Sequence, residues 1–444
     1  MAPARKQGGG RYANIDTTRV FWYRISTNWP YPDPFRRKPT KDNQTRKSGR
    51  RWDGFRRVCE AKPKKGKDMS ENTFQLNGHT APFTPGQTIL EAASDFGVWI
   101  PTLCHLKGAT PTGACRVCVV EVEGARTLVA SCATPVARGM VVKTESPKVV
   151  AARKMVLELM LGSGHHNCAV FEGDSAQWTG FQLETQAADQ AEELCPVWGD
   201  CRLQDLAFRY QVRGTRFDPE DGGYPMEMAN PLIIRDFSRC ILCGRCVQAC
   251  NEVQVNRAIS FGFRGKQAKI VAAGDRPLAE SDCVFCGECV QACPVGALVE
   301  KKARYQWRPW ETEKIRTTCP YCGVGCQLHL HVKNGKIVKV TGVEDAQPNQ
   351  GRLCVKGRFG YDFIYSEDRL KTPLIREGDG FREASWDEAL ELVADKFKAI
   401  VAESGSDALA GVSCARSINE DSYQMQKLFR AAIGTNNIDH CART

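Results

Sequence analysis

The sequence lacks any long apolar run, and this absence excludes a membrane-spanning chain, because no stretch approaches the roughly 18 consecutive apolar residues of a transmembrane helix. An export signal is also missing, since the pair Arg36-Arg37 is followed by polar residues instead of an apolar stretch. No G-x-G-x-x-G motif follows a predicted strand, so the chain has no visible dinucleotide-binding loop. We therefore expect a cytoplasmic chain that makes no contact with a membrane.

An excess of positive charge spread along the whole chain is absent as well. The net charge is +10, but residues 1–68 hold 19 Lys and Arg against 6 Asp and Glu, which leaves the remainder slightly acidic. This extension is rich in proline and charge and has no apolar period, so it predicts a basic, disordered arm. We expect no nucleic-acid partner. Met1 and Met69 are both candidate translation starts, because the sequence takes on the pattern of a folded domain from Met69 onward.

Cysteine, in contrast, is abundant, and the 444 residues include 22 of them, well above ordinary usage. Disulfides do not persist in a reducing cytoplasm, so dense cysteines there indicate metal binding or catalysis. The length allows about three domains of ordinary size. The cysteine groups therefore guide the division of the chain into domains.

The first cysteine group lies in residues 69–146. Asn77-Gly78 predicts a turn between two short strands, and a helix that begins near Ile89 ends at Gly97. The four cysteines can bind a [2Fe-2S] cluster or a zinc ion, and the ferredoxin-like strands and helix that precede them favour the cluster. They are Cys104, Cys115, Cys118 and Cys132. The block resembles the N-terminal domain of the large subunit of respiratory complex I and of the related iron hydrogenases.

Residues 147–228 begin with a helix that ends near Gly162, and histidines follow directly. The relatives just named hold a [4Fe-4S] cluster here by one histidine and three cysteines, spaced H-x3-C-x2-C-x5-C. The resemblance implies such a cluster, with His165 favoured over His166, although the spacing departs from that pattern twice. The candidate ligands are His165, His166, Cys168, Cys195 and Cys201. Imidazole in place of a thiolate removes a negative charge and should raise the cluster potential.

The strongest pattern is an internal repeat in residues 229–308, where two runs each read C-x2-C-x2-C-x3-C. The fourth cysteine of such a run lies on the helix that leaves the loop and ligates the other cluster. We expect one [4Fe-4S] cluster on Cys240, Cys243, Cys246 and Cys293, and a second on Cys283, Cys286, Cys289 and Cys250. The repeat predicts a bacterial-ferredoxin fold with two short helices.

Residues 314–370 contain a fourth group around a hairpin that turns at Asn334-Gly335. The expected [4Fe-4S] ligands are Cys319, Cys322, Cys326 and Cys354. We expect His329 and His331 to be exposed strand residues rather than ligands. The spacing, with Lys356 two residues after the last cysteine, resembles the first domain of molybdopterin oxidoreductases of the bis-guanine-dinucleotide class. The resemblance implies that Lys356 assists electron passage between cluster and pterin.

Residues 371–444 change to α/β character. Ser385 predicts a capping box at the start of a helix, "ALAGVSCARS" predicts a buried parallel strand, and a second helix ends at Gly434. The segment from "SCARS" onward strongly resembles formate dehydrogenases of the molybdenum and tungsten type. In that family the part matching Cys441 to Thr444 is followed at once by a cysteine or selenocysteine bound to the metal. We expect that ligand directly after Thr444, and a misread UGA codon is one hypothesis for a chain that stops there.

The resemblance implies several α+β and α/β domains and a defined activity. Formate would be oxidised reversibly to CO2 at molybdenum or tungsten held by bis-molybdopterin guanine dinucleotide. Electrons would pass through one [2Fe-2S] and four [4Fe-4S] clusters to a partner subunit that carries FMN, more iron–sulfur clusters and the NAD site. Residues that match the family segment and would line the pterin pocket are Arg416, Asn419, Gln426 and Lys427.

Three alternatives remain open. An iron hydrogenase shares the first three modules but would continue into the cysteine motifs of a hydrogen-cluster domain. The complex I large subunit lacks the doubled ferredoxin repeat. A non-catalytic chain that only relays electrons is the third alternative, because the expected catalytic ligand is not in the sequence. Activity with formate and an artificial acceptor would separate the enzyme from the relay.

Overall fold

The computed structural model describes residues 72–164, 166, 195–212, 215–217 and 223–441. The predictions for the basic extension, for His165, for Cys168 and for residues 442–444 lie outside the described residues. Among the residues that are described, no helix has the length and apolar character needed to cross a membrane. The fold is a chain of small α+β modules followed by an α/β unit, which confirms the predicted fold class.

The first module is a five-stranded sheet with one short helix. Its elements are β1 (Thr73–Leu76), β2 (His79–Pro82), α1 (Ile89–Asp95), β3 (Val119–Val122), β4 (Val129–Ala130) and β5 (Val141–Lys143). The strand order is β2-β1-β5-β3-β4. β1 and β2 form the predicted hairpin, with Asn77 and Gly78 at φ +53° and +85°. Thr88 and Glu91 form a capping box at the start of α1.

Among the described residues between this sheet and the next module there are two helices. They are α2 (Pro147–Gly162) and α3 (Arg202–Arg209). Ser146 caps α2 by accepting a hydrogen bond from the Val149 N–H (3.4 Å). The helix ends at Gly162, as predicted. Leu157 of α2 and Leu203 of α3 are fully buried in one apolar core, and burial of each such side chain stabilises the fold by about 1.5–3 kcal/mol.

The ferredoxin module has two short helices, as predicted. Its elements are β6 (Ile233–Arg235), α4 (Arg245–Gln248), β7 (Ile259–Gly262), β8 (Lys269–Ala272), α5 (Glu288–Ala292) and β9 (Leu298–Glu300). β6 pairs with β9, and β7 pairs with β8, both antiparallel. Gly244 and Gly287 precede the two helices at φ +77° and +74°, a conformation that a residue with a Cβ rarely adopts. The sequence repeat is therefore also a repeat of backbone conformation.

A three-stranded antiparallel sheet forms the next module. Its elements are β10 (Glu313–Thr318), β11 (Gln327–Lys333), β12 (Lys336–Gly342) and the short helix α6 (Val355–Phe359). The hairpin turns at Asn334-Gly335, as predicted, and both residues have positive φ. The expected exposure of His331 is wrong, because Trp307 packs edge-on against its ring at 5.2 Å and leaves it 2% exposed. Burial lowers the pKa of His331 to about 3, so the imidazole is neutral at pH 7.

The last described elements form a hairpin, a long helix and a β-α-β unit. They are β13 (Leu374–Glu377), β14 (Gly380–Glu383), α7 (Trp386–Ser404), β15 (Gly411–Ser413), α8 (Asn419–Lys427) and β16 (Ile438–His440). Half of the predicted capping box is present, since Ser385 accepts from the Glu388 N–H while the Glu388 carboxylate binds Arg382. β15 pairs with β16 in parallel, as predicted. The prediction that strand β15 is buried is wrong at Val412, which is 71% exposed. No helix or strand among the described residues covers the face of the sheet on which Val412 lies.

Candidate metal centres

Four buried thiols of the first module lie together. Cys104 is in the loop after α1, Cys115 and Cys118 precede β3, and Cys132 follows β4. The sulfurs of Cys118 and Cys132 are 3.4 Å apart, and the Cys115 N–H points at the Cys104 sulfur, also at 3.4 Å. Gly113, at φ +60°, allows the intervening loop to turn back on itself. The structure thus brings together all four cysteines of the first group.

The protonation of these thiols is strongly coupled. The hydrogen bond between Cys118 and Cys132 lowers the pKa of Cys118 to about 6. Hydrogen bonds to Cys104 and Cys118, together with burial, raise the pKa of Cys132. Four thiolates in so small a buried space would repel one another unless a cation compensated them. Iron bound between the sulfurs would supply that charge, so the group fits a cluster by its donor type and burial.

The second group is only partly within the described residues. Cys195 and Cys201 are buried, and Cys201 is the N-cap residue that directly precedes α3. Burial raises the pKa of Cys195, and its carbonyl accepts a hydrogen bond from Arg308 (2.9 Å). His166 is half-buried. The structure does not decide between His165 and His166, because His165 and Cys168 are outside the described part.

The eight cysteines of the ferredoxin module line a single cavity with apolar walls. Burial raises the pKa of Cys240 to about 11 and that of Cys243 to about 12. Neutral thiols are therefore favoured until a metal displaces the protons. Within the described residues, no three or more His, Cys, Asp or Glu side chains converge closely enough for a single metal ion. A polynuclear cluster instead requires thiolates distributed around it, and the lining supplies them.

The fourth cysteine of each run lies near the opposite run. Burial raises the pKa of Cys246, and the nearby Cys293 raises it further. Burial likewise raises the pKa of Cys289, and Cys250 is among the neighbours that add to this effect. The structure thus brings Cys293 close to the first run and Cys250 close to the second, the arrangement that crossed ligation requires.

The cysteines of the fourth group surround the base of the β11–β12 hairpin. Cys319 is buried, Cys322 and Cys326 are half-buried, and Cys354 is exposed. The Cys319 N–H donates to the Cys326 carbonyl (2.8 Å). Burial raises the pKa of Cys326, and the three other thiols raise it further. All four side chains are therefore close enough to interact electrostatically, as the ligands of one cluster would be.

Of the residues predicted to approach the pterin, Asn419 contacts the loop of this fourth group and Lys356 follows its last cysteine by two positions. Lys356 is exposed on α6, and Arg416 is exposed after β15. Asn419, the first residue of α8, donates from its Nδ2 to the carbonyl of Gly323 (2.7 Å), which lies between Cys322 and Cys326. The predicted residues Gln426 and Lys427 are exposed near the end of α8. Asn419 is thus in contact with the cysteine loop.

The apolar cores connect the cysteine groups. One core contains Cys104, Cys115 and Cys201, with Cys240 and Cys293 packed against it. A second core joins Cys246, Cys250 and Cys289 to Phe359 of α6. Consecutive groups therefore share continuous packing from the first module to the helix that follows Cys354. The sequence had not indicated which buried polar residues cross these junctions, and the structure identifies two arginines, Arg245 and Arg358.

Buried cysteine groups of this kind, arranged in series, define an iron–sulfur redox protein. Four family descriptions match the chain: "2Fe-2S iron-sulfur cluster binding domain" over residues 70–147, "4Fe-4S dicluster domain" over 239–297, "Molybdopterin oxidoreductase Fe4S4 domain" over 312–366 and "Molybdopterin oxidoreductase" over 369–444. By these matches the chain carries 2Fe-2S and 4Fe-4S domains followed by the start of a molybdopterin oxidoreductase domain.

Curated relatives carry several activity names. The alpha subunit of an NADPH-Fe(3+) oxidoreductase from Geobacter sulfurreducens is 39% identical over 84% of this chain. A subunit of an NADH-quinone oxidoreductase from Rhizobium meliloti is 37% identical over 81%. A Staphylococcus aureus protein, named provisionally as a formate dehydrogenase, is 31% identical over 83%. The matched region covers 40%, 39% and 39% of these relatives, respectively.

Proposed function

We propose that this chain is the iron–sulfur and pterin-binding part of a formate dehydrogenase that oxidises formate reversibly to CO2. The contact between Asn419 and the Gly323 carbonyl carries the proposal. The segment that resembles formate dehydrogenases thereby touches the loop of the fourth cysteine group. A metal held beside that segment would be close to a cluster held by the loop, which suits electron transfer from formate.

The cysteine groups would hold one [2Fe-2S] and four [4Fe-4S] clusters, with the ligands expected from the sequence. Such clusters accept and release electrons one at a time, with potentials set by hydrogen bonds and burial. The protein residues supply the thiolates, the apolar walls and the fixed geometry. The bis-molybdopterin guanine dinucleotide would lie beside Lys356, Arg416 and Asn419. An exposed ammonium at Lys356 favours an anionic pterin and an electron that arrives at the adjacent cluster.

A partner subunit would receive the electrons and would carry FMN and the NAD site. Two of the relatives are named as subunits of oxidoreductases of NADPH and NADH, which supports a flavin- and nucleotide-binding partner. The absence of a G-x-G-x-x-G loop from the sequence agrees with this division of labour. We propose a cytoplasmic complex, since reduced thiols are required to bind the iron.

Anaerobic purification with any co-purifying subunits tests the proposal. We expect about 18 iron atoms per chain, molybdenum or tungsten by elemental analysis, and bleaching of the visible absorption after formate is added. The matched control adds acetate, a carboxylate with no hydrogen on its carboxyl carbon. Iron-loaded protein whose absorption is unchanged by formate contradicts formate oxidation and leaves the relay intact.

A relay subunit that passes electrons from NADPH or NADH to another acceptor is the second candidate function. Sequence identity favours this second candidate, because the relative named NADPH-Fe(3+) oxidoreductase is 39% identical to this chain, whereas the relative named as a formate dehydrogenase is 31% identical. Bleaching by NADPH or NADH, in the presence of the co-purified partner and without any response to formate, would establish this alternative.

A further inference from the structure

Two arginines are buried at the junctions between consecutive cysteine groups. Arg245 is 4% exposed and Arg358 is 2% exposed. An isolated guanidinium is costly to bury, by several kcal/mol even after relaxation. Each of these side chains therefore needs a compensating environment, and each finds at least one hydrogen-bond acceptor across its junction.

Arg245 connects the ferredoxin module to the [2Fe-2S] module. It lies on α4 between Cys243 and Cys246, and its Nε donates to the carbonyl of Ala292 (2.6 Å), the residue before Cys293. One terminal nitrogen donates to the carbonyl of His105 (2.9 Å), the residue after Cys104. One planar side chain thus joins the backbone beside ligands of two expected clusters.

Further hydrogen bonds surround Arg245 at this junction. Gln248, also on α4, donates to the Thr110 carbonyl (2.5 Å). The Thr110 N–H donates to the Glu252 carboxylate (2.7 Å). The loop after Cys104 is consequently held at three points by the helix that carries Cys246 and the turn that follows it.

Arg358 forms the equivalent connection between the ferredoxin module and the fourth group. It lies on α6, four residues after Cys354. Its Nε donates to the carbonyl of Cys286 (2.9 Å), and its terminal nitrogens donate to Gln291 (2.7 Å) and to the Glu288 carboxylate (2.9 Å). All three acceptors belong to the loop and helix of the second ferredoxin run.

Gln291 extends this contact into the hairpin module. Its Nε2 donates to the Gly351 carbonyl (3.0 Å), and its Oε1 accepts from the Gly342 N–H (3.0 Å). Gly287 lies so close to Arg358 that an added Cβ would be 2.3 Å from the Arg358 Cδ. The ferredoxin loop and α6 are therefore packed in direct contact around the guanidinium.

Each arginine also lies beside cysteines that are expected cluster ligands. The Arg358 Nε donates to the carbonyl of Cys286 (2.9 Å), and Arg245 stands between Cys243 and Cys246 in the sequence. A positive potential at a cluster's ligands stabilises the more negative, reduced state of that cluster.

We propose that Arg245 and Arg358 are positioning residues for electron transfer, each fixing two consecutive clusters at its junction and raising their reduction potentials. The inference rests on the iron-loaded relay of the proposed function. It does not depend on formate as the substrate. A side chain that served only to join the modules would require neither the charge nor the location beside the ligands.

The test compares Arg245→Gln, Arg358→Gln and the corresponding lysine variants in the anaerobically purified complex. Iron is counted, and the midpoint potentials of the clusters are measured by redox titration followed by EPR. Arg245→Gln should lower the potentials of the [2Fe-2S] cluster and the first-run cluster. Arg358→Gln should lower those of the second-run cluster and the fourth-group cluster. We expect at least a tenfold smaller equilibrium constant of reduction, which is about 59 mV for one electron.

The two glutamine variants are controls for each other, because both remove a buried arginine. A variant that lowered every potential equally would reveal general loosening and overturn the inference. The lysine variants keep the positive charge but lose the forked hydrogen bonds of arginine. The cluster potentials of these variants should therefore stay near the wild-type values. Electron transfer to the next cluster, measured by rapid-freeze EPR, should be slower than in the wild type. If a glutamine variant loses its iron, the lysine variant at the same position provides the test. An unchanged rate of electron transfer between the two clusters in that lysine variant refutes the proposal.

The outcomes for the two proposals are distinguishable. A wild-type complex that contains no iron overturns both the proposed function and this inference. A complex that is loaded with iron but inert to formate overturns only formate oxidation, and the arginine variants remain informative. Loaded glutamine variants with wild-type potentials overturn only the role of the arginines.

Discussion

Replacing Arg153 by methionine should loosen the contact between α2 and the first module. Arg153 is fully buried and donates to the Val119 carbonyl (2.8 Å), the Tyr210 hydroxyl (2.7 Å) and the Glu145 carboxylate (2.6 Å). Val119 follows Cys118 directly, so this arginine holds the strand that begins immediately after a cysteine of the first group.

The expected magnitude follows from the partners that methionine cannot satisfy. A buried carbonyl left without its donor, here that of Val119, costs about 1–3 kcal/mol. The Glu145 side chain is 43% exposed, so loss of that ion pair adds at most about 1 kcal/mol. Tyr210 keeps its bond to Glu145 (3.2 Å). A total of about 3 kcal/mol corresponds to a roughly 150-fold larger equilibrium constant for local opening.

Hydrogen–deuterium exchange of peptides that cover α2 and β3 measures this opening. The matched control is Arg382→Met, which removes an arginine that also binds a carboxylate closely, at 2.5 Å from Glu388, but on an exposed surface. We expect no measurable change in exchange around β14 and α7 in the control. Equal effects of the two substitutions, or less than a threefold effect at Arg153, would refute the assignment of the stabilisation to burial.

Three further predictions concern single sites. Cys293→Ala and Cys250→Ala should each remove about 4 iron atoms but abolish different EPR signals, and identical spectra would contradict crossed ligation. Burial raises the pKa of Glu300 to about 7, so the folded state holds a proton that the unfolded state releases, and stability falls as pH rises. Wild type should lose about 1 kcal/mol relative to Glu300→Gln between pH 6 and pH 8, and melting curves with the same pH dependence would disprove it. Cys414 and Cys441 lie just after neighbouring parallel strands, and their sulfurs are 3.5 Å apart. The two-electron thiol oxidant diamide should therefore join them in a disulfide, with a loss of about 2 Da in mass. A mass spectrum that shows two free thiols after this treatment would count against the prediction.

Local signals in the sequence predicted the local structure well. The turn at Asn77-Gly78 and the turn at Asn334-Gly335 both form, because these residues adopt positive φ readily and the flanking strands need only each other. The helix end at Gly162 and the two short ferredoxin helices were also predictable. In each case the determining residues lie within a few positions of the feature.

Burial was less predictable, because it depends on residues that are distant in the sequence. His331 has the alternation of an exposed strand residue, but Trp307 from outside the sheet packs against its ring and His331 is buried. Arg245 and Arg358 resemble surface arginines in the sequence. Their acceptors are 140 residues away in one case, at His105, and 72 residues away in the other, at Cys286. No local pattern contains that information.

Six of the eight thiols of the ferredoxin module lie in or against its apolar core, and this has a consequence for biosynthesis. A core that contains ionisable sulfur is incomplete until iron binds, so maturation of the module and acquisition of its iron are thermodynamically one process. Chains made during iron starvation would lack this stabilisation and would be substrates for proteases and chaperones. The cellular abundance of the protein would then follow the iron supply even at a constant rate of synthesis.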